Sequence, residues 1–66
     1  MTEIRIRRKG LGLSIPKFCR KVEVNPSVLS WVELGKVSAS SKFRALVADF
    51  YGEAESKLFN ENGFAK

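Results

Sequence analysis

The sequence predicts an all-α domain of five helices, with the second and third arranged as a helix-turn-helix. Apolar residues recur at helical spacing, most clearly in the fourth predicted helix, at Phe43, Leu46, Val47 and Phe50. Helix start signals precede two short apolar stripes in the middle of the chain, and no segment shows the alternation typical of strands. With 66 residues, the chain is long enough for one small domain with a thin core.

The first helix is predicted over residues 1–10. Thr2 and Glu3 suit its start, because a hydroxyl can cap free amides and a carboxylate meets the positive end of the helix dipole. Ile4, Arg8 and Leu11 follow at spacings of four and three, so we expect them to share the inner face. Gly12 is a predicted turn.

The second and third helices are predicted from the segment SIPKFCRKVEVNPSVLSWVELGK, over residues 15–22 and 26–34. Ser14 can accept hydrogen bonds from a first turn, where Pro16 is tolerated. Asn25 and the proline after it repeat this start signal, and Gly35 suits a left-handed stop. Two helices joined by so short a turn cross steeply, which presents the outer face of the second to a groove.

The remaining chain predicts a fourth helix over 41–51, a short fifth helix over 53–59 and a tail over 60–66. A serine, with Ser40 the candidate, caps the fourth helix, and Gly52 ends it. Leu58 is expected inside the protein. Phe59 or Phe64 is expected to be partly exposed; each of the two either packs on the core or contacts a second copy of the chain.

Charge and composition narrow the function classes. Twelve Lys and Arg against seven Asp and Glu give a net charge of +5, which favours a polyanion such as nucleic acid; the alternative is a solvated basic surface. The absence of histidine removes the usual general base and the commonest metal ligand. A single cysteine excludes an intrachain disulfide and a cysteine-rich zinc site. We therefore expect no catalytic residues, no metal and no cofactor.

The same composition bears on location. No apolar run approaches the roughly 20 residues of a membrane span, and the charged N-terminus is not followed by the apolar stretch of a signal peptide. The unpaired cysteine fits a reducing compartment. The expectation is a cytoplasmic protein without a membrane partner.

Several fragments, in order and at matching spacing, carry a family resemblance. They are RRKGLGLS, then PKFCRKVEVNPSVLSWVELGK, then VADFYG, and LFN near the end. Together they resemble the lambda-repressor/Cro-like (XRE-type) helix-turn-helix family, whose members of this length often look like phage Cro-type proteins. The resemblance implies five helices, binding to double-stranded DNA, a homodimer on a partly palindromic site, and a role as a transcriptional repressor.

The resemblance also implies residue roles. It places Pro26, Ser27 and Trp31 against the bases. It places the start of the second helix, Ile15 and Pro16, and the cap of the third helix, Asn25, close to phosphates. It places Lys36 and Lys42 beside the DNA backbone. By position, Lys17, Lys36 and Lys42 are the strongest phosphate candidates, because they flank the predicted groove-facing helix.

Two departures from the family pattern fall in this region. Ile15 stands where a glutamine is usual, and Glu23 stands where the turn usually has glycine. A left-handed backbone at Glu23 would be strained.

The outer face of the third helix is predicted to carry Ser27, Ser30, Trp31 and Leu34. It therefore lacks the side chains that make bidentate base contacts, although its serines can donate or accept in the major groove. Trp31 has three interpretations: it packs against thymine methyls or sugars, it folds onto Lys21 as partial core, or with Leu34 it binds another regulatory protein.

Two further residue expectations concern the core. Arg8 and Glu33 both lie on predicted inward faces, and the resemblance implies that they form a partly buried salt bridge; the alternative is two solvated side chains. Cys19 occupies a slot that the family fills with alanine, so a small buried thiol is expected there.

Overall fold

The structure, a computed structural model, describes all 66 residues. The chain forms five helices and no strand. The all-α fold class is therefore as predicted. The helices are α1 (Glu3–Gly10), α2 (Ile15–Val22), α3 (Pro26–Glu33), α4 (Ser41–Tyr51) and α5 (Glu55–Leu58). None of them combines the length and the apolar character needed to cross a membrane.

The core forms where the inner faces of these helices meet. Its most deeply buried side chains come from all five helices: Ile4, Phe18, Leu29, Val32, Val47 and Leu58. α2 packs on both α3 and α4, so the outer side of α3 is left open to solvent. Burial of these large apolar groups is the main favourable contribution to folding.

Helix α1 differs from its prediction at its start and in the exposure of Leu11, but it ends at Gly10 as predicted. It begins at Glu3 rather than residue 1, and Thr2 makes no cap bond; the Thr2 hydroxyl instead donates to the Glu33 carbonyl over 2.7 Å. Leu11 is 58% exposed rather than inward. The helix ends at Gly10, and Leu11 is its C-cap, with a right-handed backbone and an amide that donates to the Arg7 carbonyl. Helical spacing therefore extends to Leu11, but the core does not cover this end of the helix.

The starts of α2, α3 and α4 follow from local capping. The Ser14 hydroxyl accepts from the Lys17 amide, and the Ser40 hydroxyl accepts from the Phe43 amide. The Asn25 side-chain carbonyl accepts from two amides of the first turn of α3. α3 ends at Glu33, one residue earlier than predicted, with Leu34 as its C-cap. On α4, Phe50 lies at the core edge and is partly exposed, while Ala48 is buried instead.

The segment after α4 departs most from the sequence prediction. α5 spans Glu55–Leu58 rather than 53–59. Residues 60–66 are not a loose tail: Phe59 and Ala65 form an isolated β-bridge, and Asn60 closes the turn between them by accepting from the Asn62 and Phe64 amides. The Ala39 amide donates to the Gly63 carbonyl over 2.8 Å, and the Glu3 amide donates to the Lys66 carbonyl.

This C-terminal closure (residues 59–66) explains where the two phenylalanines lie. Phe59 is only 2% exposed and packs edge-on against Phe43, with ring centroids 6.4 Å apart. The prediction that Phe59 is available for a dimer contact is therefore wrong. Phe64 remains partly exposed.

Candidate nucleic-acid interface

A three-residue turn, Glu23 to Asn25, sets the relation between α2 and α3. Glu23 has φ 60° and ψ 46°, the left-handed conformation that its position predicted, and it is the only residue other than glycine with positive φ. Such a conformation costs a residue with a side chain about 1–2 kcal/mol. Glu23 therefore adopts a strained backbone so that α3 can begin at once and cross α2.

The two faces of α3 are chemically distinct. Leu29, Val32 and Glu33 are buried. Trp31 and Leu34, on the opposite side, are each 50% exposed, and Ser27 is exposed while Ser30 is partly exposed. The outward side is thus an apolar ridge with hydroxyl groups and no charge.

Glu33 is held inward by Arg8. The Arg8 guanidinium donates from Nε to Glu33 Oε2 over 2.8 Å and from Nη2 to Oε1 over 2.9 Å, and Nη1 donates to the Leu13 carbonyl over 2.7 Å. The hydrogen bond to Glu33 raises the pKa of Arg8. The expected salt bridge is therefore present. It neutralises the Glu33 carboxylate close to the C-terminal end of α3.

The C-terminal end of α3 brings Lys36 back over the ridge. Gly35, with φ 73°, allows a Schellman closure in which the Gly35 amide donates to Val32 and the Lys36 amide donates to Trp31, each over 3.0 Å. Lys36 Nζ then lies 5.7 Å from the centroid of the Trp31 ring, within cation–π range. Trp31 therefore does not fold onto Lys21 as partial core.

The N-terminal end of α3 is flanked by another lysine. Lys42, from the first turn of α4, lines a shallow cleft together with Glu23, Asn25 and Val28. Sequence reasoning did not single out Val28, which is 41% exposed at the edge of the ridge. A helical wheel of α3 places Val28 beside Trp31, and that signal could have identified it.

The predicted residues at the start of α2 are less uniform. Lys17 is exposed and makes no ion pair, as a phosphate contact requires. The Ile15 side chain packs against the core, so only its backbone amide can serve as a donor. Pro16 has no donor at all and can contribute only a van der Waals contact. The Asn25 side-chain oxygen is used in the cap, but its amide nitrogen is free to donate.

Ion pairs are distributed unevenly over the molecule. Three carboxylates in or next to α1 and α5 form ion pairs. Glu3 pairs with Arg7, Glu53 with Arg7 and Lys57, and Glu55 with Arg44. Between residues 14 and 42, Glu23 is the only carboxylate that is not buried. None of the five cations in this segment forms an ion pair: Lys17, Arg20, Lys21, Lys36, Lys42. The surface around α3 therefore keeps its positive charge.

Cys19 has no chemical role at this surface. It is buried between the helices, and burial raises the pKa of its thiol. A neutral, enclosed thiol packs as a small apolar group rather than acting as a nucleophile.

Comparisons with known proteins do not identify the chain. No family model, curated protein or solved structure matches it. The fold and the surface define its class: a small five-helix domain in which α3, packed on α2, presents an apolar ridge between lysines.

Proposed function

We propose that this protein is a DNA-binding transcriptional regulator of the Cro type, a phage or prophage repressor that acts in the cytoplasm as a dimer. The observation that supports this most is the surface of α3. Its outward ridge is uncharged, while Lys36 lies at one end, Lys42 at the other, and neither is in an ion pair.

This arrangement suits duplex DNA because of its dimensions and charge. A single helix fits the major groove, and the phosphates then lie on both sides of it. Lysines that flank the helix can neutralise these phosphates, whereas the helix itself meets uncharged base edges. Each neutralised phosphate releases counterions, so binding should weaken steeply as salt is raised.

The dimer is part of the proposal. Two copies would place their α3 helices about 34 Å apart on one side of the duplex. With Phe59 buried, Phe64 is the candidate for a contact between copies, since it is partly exposed on the C-terminal closure.

Reversal of the flanking charges tests the DNA-binding proposal. The probes are a duplex from upstream of the protein's own gene and a mixed-sequence duplex of the same length, titrated at several salt concentrations. Lys36→Glu with Lys42→Glu should weaken binding by at least about tenfold at low salt, because two phosphate contacts become repulsive.

Lys57→Glu with Lys66→Glu is the matched control. It changes the net charge equally, but Lys57 pairs with Glu53 and Lys66 Nζ donates to the Ser56 carbonyl, both in the region of α5. This control should bind nearly as well as the parent. Absence of binding by the parent at low salt, or equal losses in the two variants, would contradict the proposal.

The exposed ridge favours one rival function, a same-fold module that binds another regulatory protein through Trp31 and Leu34. Exposed apolar clusters often mark protein interfaces. The double variant Trp31→Ala with Leu34→Ser separates the two functions. A variant that keeps full DNA affinity while losing a protein partner would support the rival, whereas loss of DNA affinity supports the DNA-binding function.

A further inference from the structure

The outward ridge of α3 lacks every side chain that makes bidentate contacts with bases. Its exposed groups are two apolar side chains, Trp31 and Leu34, and the Ser27 hydroxyl, with Val28 at the edge. Guanine is usually read by a guanidinium or ammonium group, and adenine by a side-chain amide. The nearest amide belongs to Asn25, whose oxygen already caps α3. Hydrogen bonding from this ridge can therefore distinguish base pairs only weakly.

An apolar ridge nevertheless has a complementary feature in the major groove. The C5-methyl group of a pyrimidine is the one apolar group that base pairs present there. Thymine carries it always, and cytosine carries it after methylation. An indole face and a leucine side chain gain free energy when they remove such a methyl group from water.

The charges around the ridge indicate that its occupant is duplex DNA rather than an apolar protein surface. Lys36 Nζ lies 5.7 Å from the centroid of the Trp31 ring, and Lys42 lines the same cleft as Val28 and Glu23, without an ion pair to Glu23. An apolar protein surface would bury these ammonium groups without a partner, which is costly. A duplex offers a phosphate to each lysine and a methyl group to the ridge at the same time.

We propose that α3 selects its site by contact between the ridge around Trp31 and C5-methyl groups of pyrimidines in the major groove. This inference rests on the proposed DNA-binding function and specifies which feature of the duplex is recognised. Trp31 makes the central contact, and Leu34 and Val28 extend it. Lys17, Lys36 and Lys42 hold the phosphates without distinguishing sequences.

The size of the effect follows from the area of one methyl group. Burial of a methyl group strengthens binding by a factor of about four. Two contacted methyl groups should therefore change affinity by about fifteenfold. That is easily measured, yet it is smaller than the discrimination that a pair of bidentate contacts gives.

The experiment removes or adds only the methyl group. Four duplexes are titrated at one salt concentration: an A·T-rich sequence with thymine or with deoxyuridine, and a G·C-rich sequence with cytosine or with 5-methylcytosine. Deoxyuridine keeps the hydrogen-bonding groups of thymine, so a difference within the first pair reports the methyl group. The second pair shows whether methylated cytosine is also a source of the recognised group.

Trp31→Ala and a matched surface variant, Lys9→Ala, are titrated on the same duplexes. Trp31 is half exposed and Lys9 is exposed, so both variants should fold, which circular dichroism verifies. Trp31 is also the only tryptophan. Its fluorescence in the parent protein therefore reports whether the surroundings of the ring change on binding.

Four results are expected together. The parent binds the thymine duplex at least about fourfold more tightly than the deoxyuridine duplex, corresponding to one methyl contact. Tryptophan emission changes on binding, Lys9→Ala behaves as the parent, and Trp31→Ala binds both A·T-rich duplexes within about twofold of each other. A gain from 5-methylcytosine would make methylated cytosine a second source, and no gain would restrict the source to thymine.

Two outcomes would overturn the inference in distinguishable ways. Salt-dependent binding that is equal for thymine and deoxyuridine, or a preference that persists in Trp31→Ala, would refute methyl recognition by the ridge and leave DNA binding intact. Absence of binding to all four duplexes at low salt would refute the proposed function as well.

Discussion

The helix-turn-helix half (residues 14–42) and the closing half (α1, α5 and the C-terminal closure) differ in whether certain cations have ion-pair partners and in where an aromatic side chain lies. In the closing half, Arg7 and Lys57 have carboxylate partners, and Phe59 is buried. In the helix-turn-helix half, the lysines have no ion pairs and Trp31 is half exposed. Groups satisfied within the chain stabilise the fold, whereas groups left free are available to a partner.

Besides the hydrogen bond from Thr2, the N-cap of α1, to the Glu33 carbonyl, two polar connections cross between the halves. Arg8 of α1 binds Glu33 of α3, and Gly63 of the C-terminal closure binds Ala39, which precedes α4. The Arg8 connection also neutralises a carboxylate that would otherwise lie at the end of the proposed DNA-contacting helix. The closing half thus supports both the position of α3 and its freedom from negative charge.

Loss of the ion pair between Arg8 and Glu33 should lower the free energy of unfolding more than any other proposed change. Arg8→Ala leaves the Glu33 carboxylate buried without a partner, and the free energy of unfolding should fall by about 3 kcal/mol. Arg7→Ala is the control: its ion pairs with Glu3 and Glu53 are partly exposed, so its cost should stay below about 1 kcal/mol. Urea unfolding measures both. Equal stability of the Arg8 variant and the parent would show that this connection contributes nothing.

The C-terminal closure gives the next largest effect. Gly63 has φ 85°, and a Cβ added there would lie 2.7 Å from Arg44 Nη1 and 3.0 Å from the Ala39 carbonyl oxygen. Gly63→Ala should therefore destabilise the protein by about 2 kcal/mol, through backbone strain and displacement of Arg44.

Gly52→Ala is the matched control for the closure. Gly52 also has a positive φ, 66°, but a Cβ there would meet nothing within 4 Å, so strain alone costs about 1 kcal/mol. Thermal melting of the two variants makes the comparison. Similar losses in both would mean that close packing of the closure against α4 has no energetic weight.

A substitution in the turn between α2 and α3 should change the free energy of unfolding least, and should raise it rather than lower it. Glu23→Gly removes the strain of the left-handed backbone and should stabilise the protein by about 1 kcal/mol. It also removes the only exposed carboxylate of this half, so DNA affinity should rise at low salt. Glu23→Gln separates the two causes, because it removes the charge but keeps the strain. A stability gain in the glutamine variant equal to that of the glycine variant would contradict the strain argument.

Most predictions from the sequence that depend on local contacts were accurate, although the Thr2 cap did not form and Leu11 is exposed. Ser14, Asn25 and Ser40 cap the helices that follow them because each side chain reaches amides only two or three residues away. The left-handed turn at Glu23 and the end of α3 near Gly35 follow from equally short-range geometry. The helical spacing of the apolar residues Leu29 and Val32 then predicted that Trp31 lies on the outer face of α3, where the structure has it.

Only the tertiary structure decided what depends on distant partners. Phe59 and residues 60–66 carry no helical periodicity, and their positions come from hydrogen bonds to Glu3 and Ala39, far away in sequence. Lys42 was already expected beside the third helix, and packing of α4 on α2 accounts for its place in the cleft next to α3. Local capping and spacing are encoded within a few residues, so the sequence alone determined the helices and the outward face of α3. Contacts between segments far apart in sequence depend on how the whole core packs, and so the closure of the domain by residues 59–66 emerged only from the folded chain.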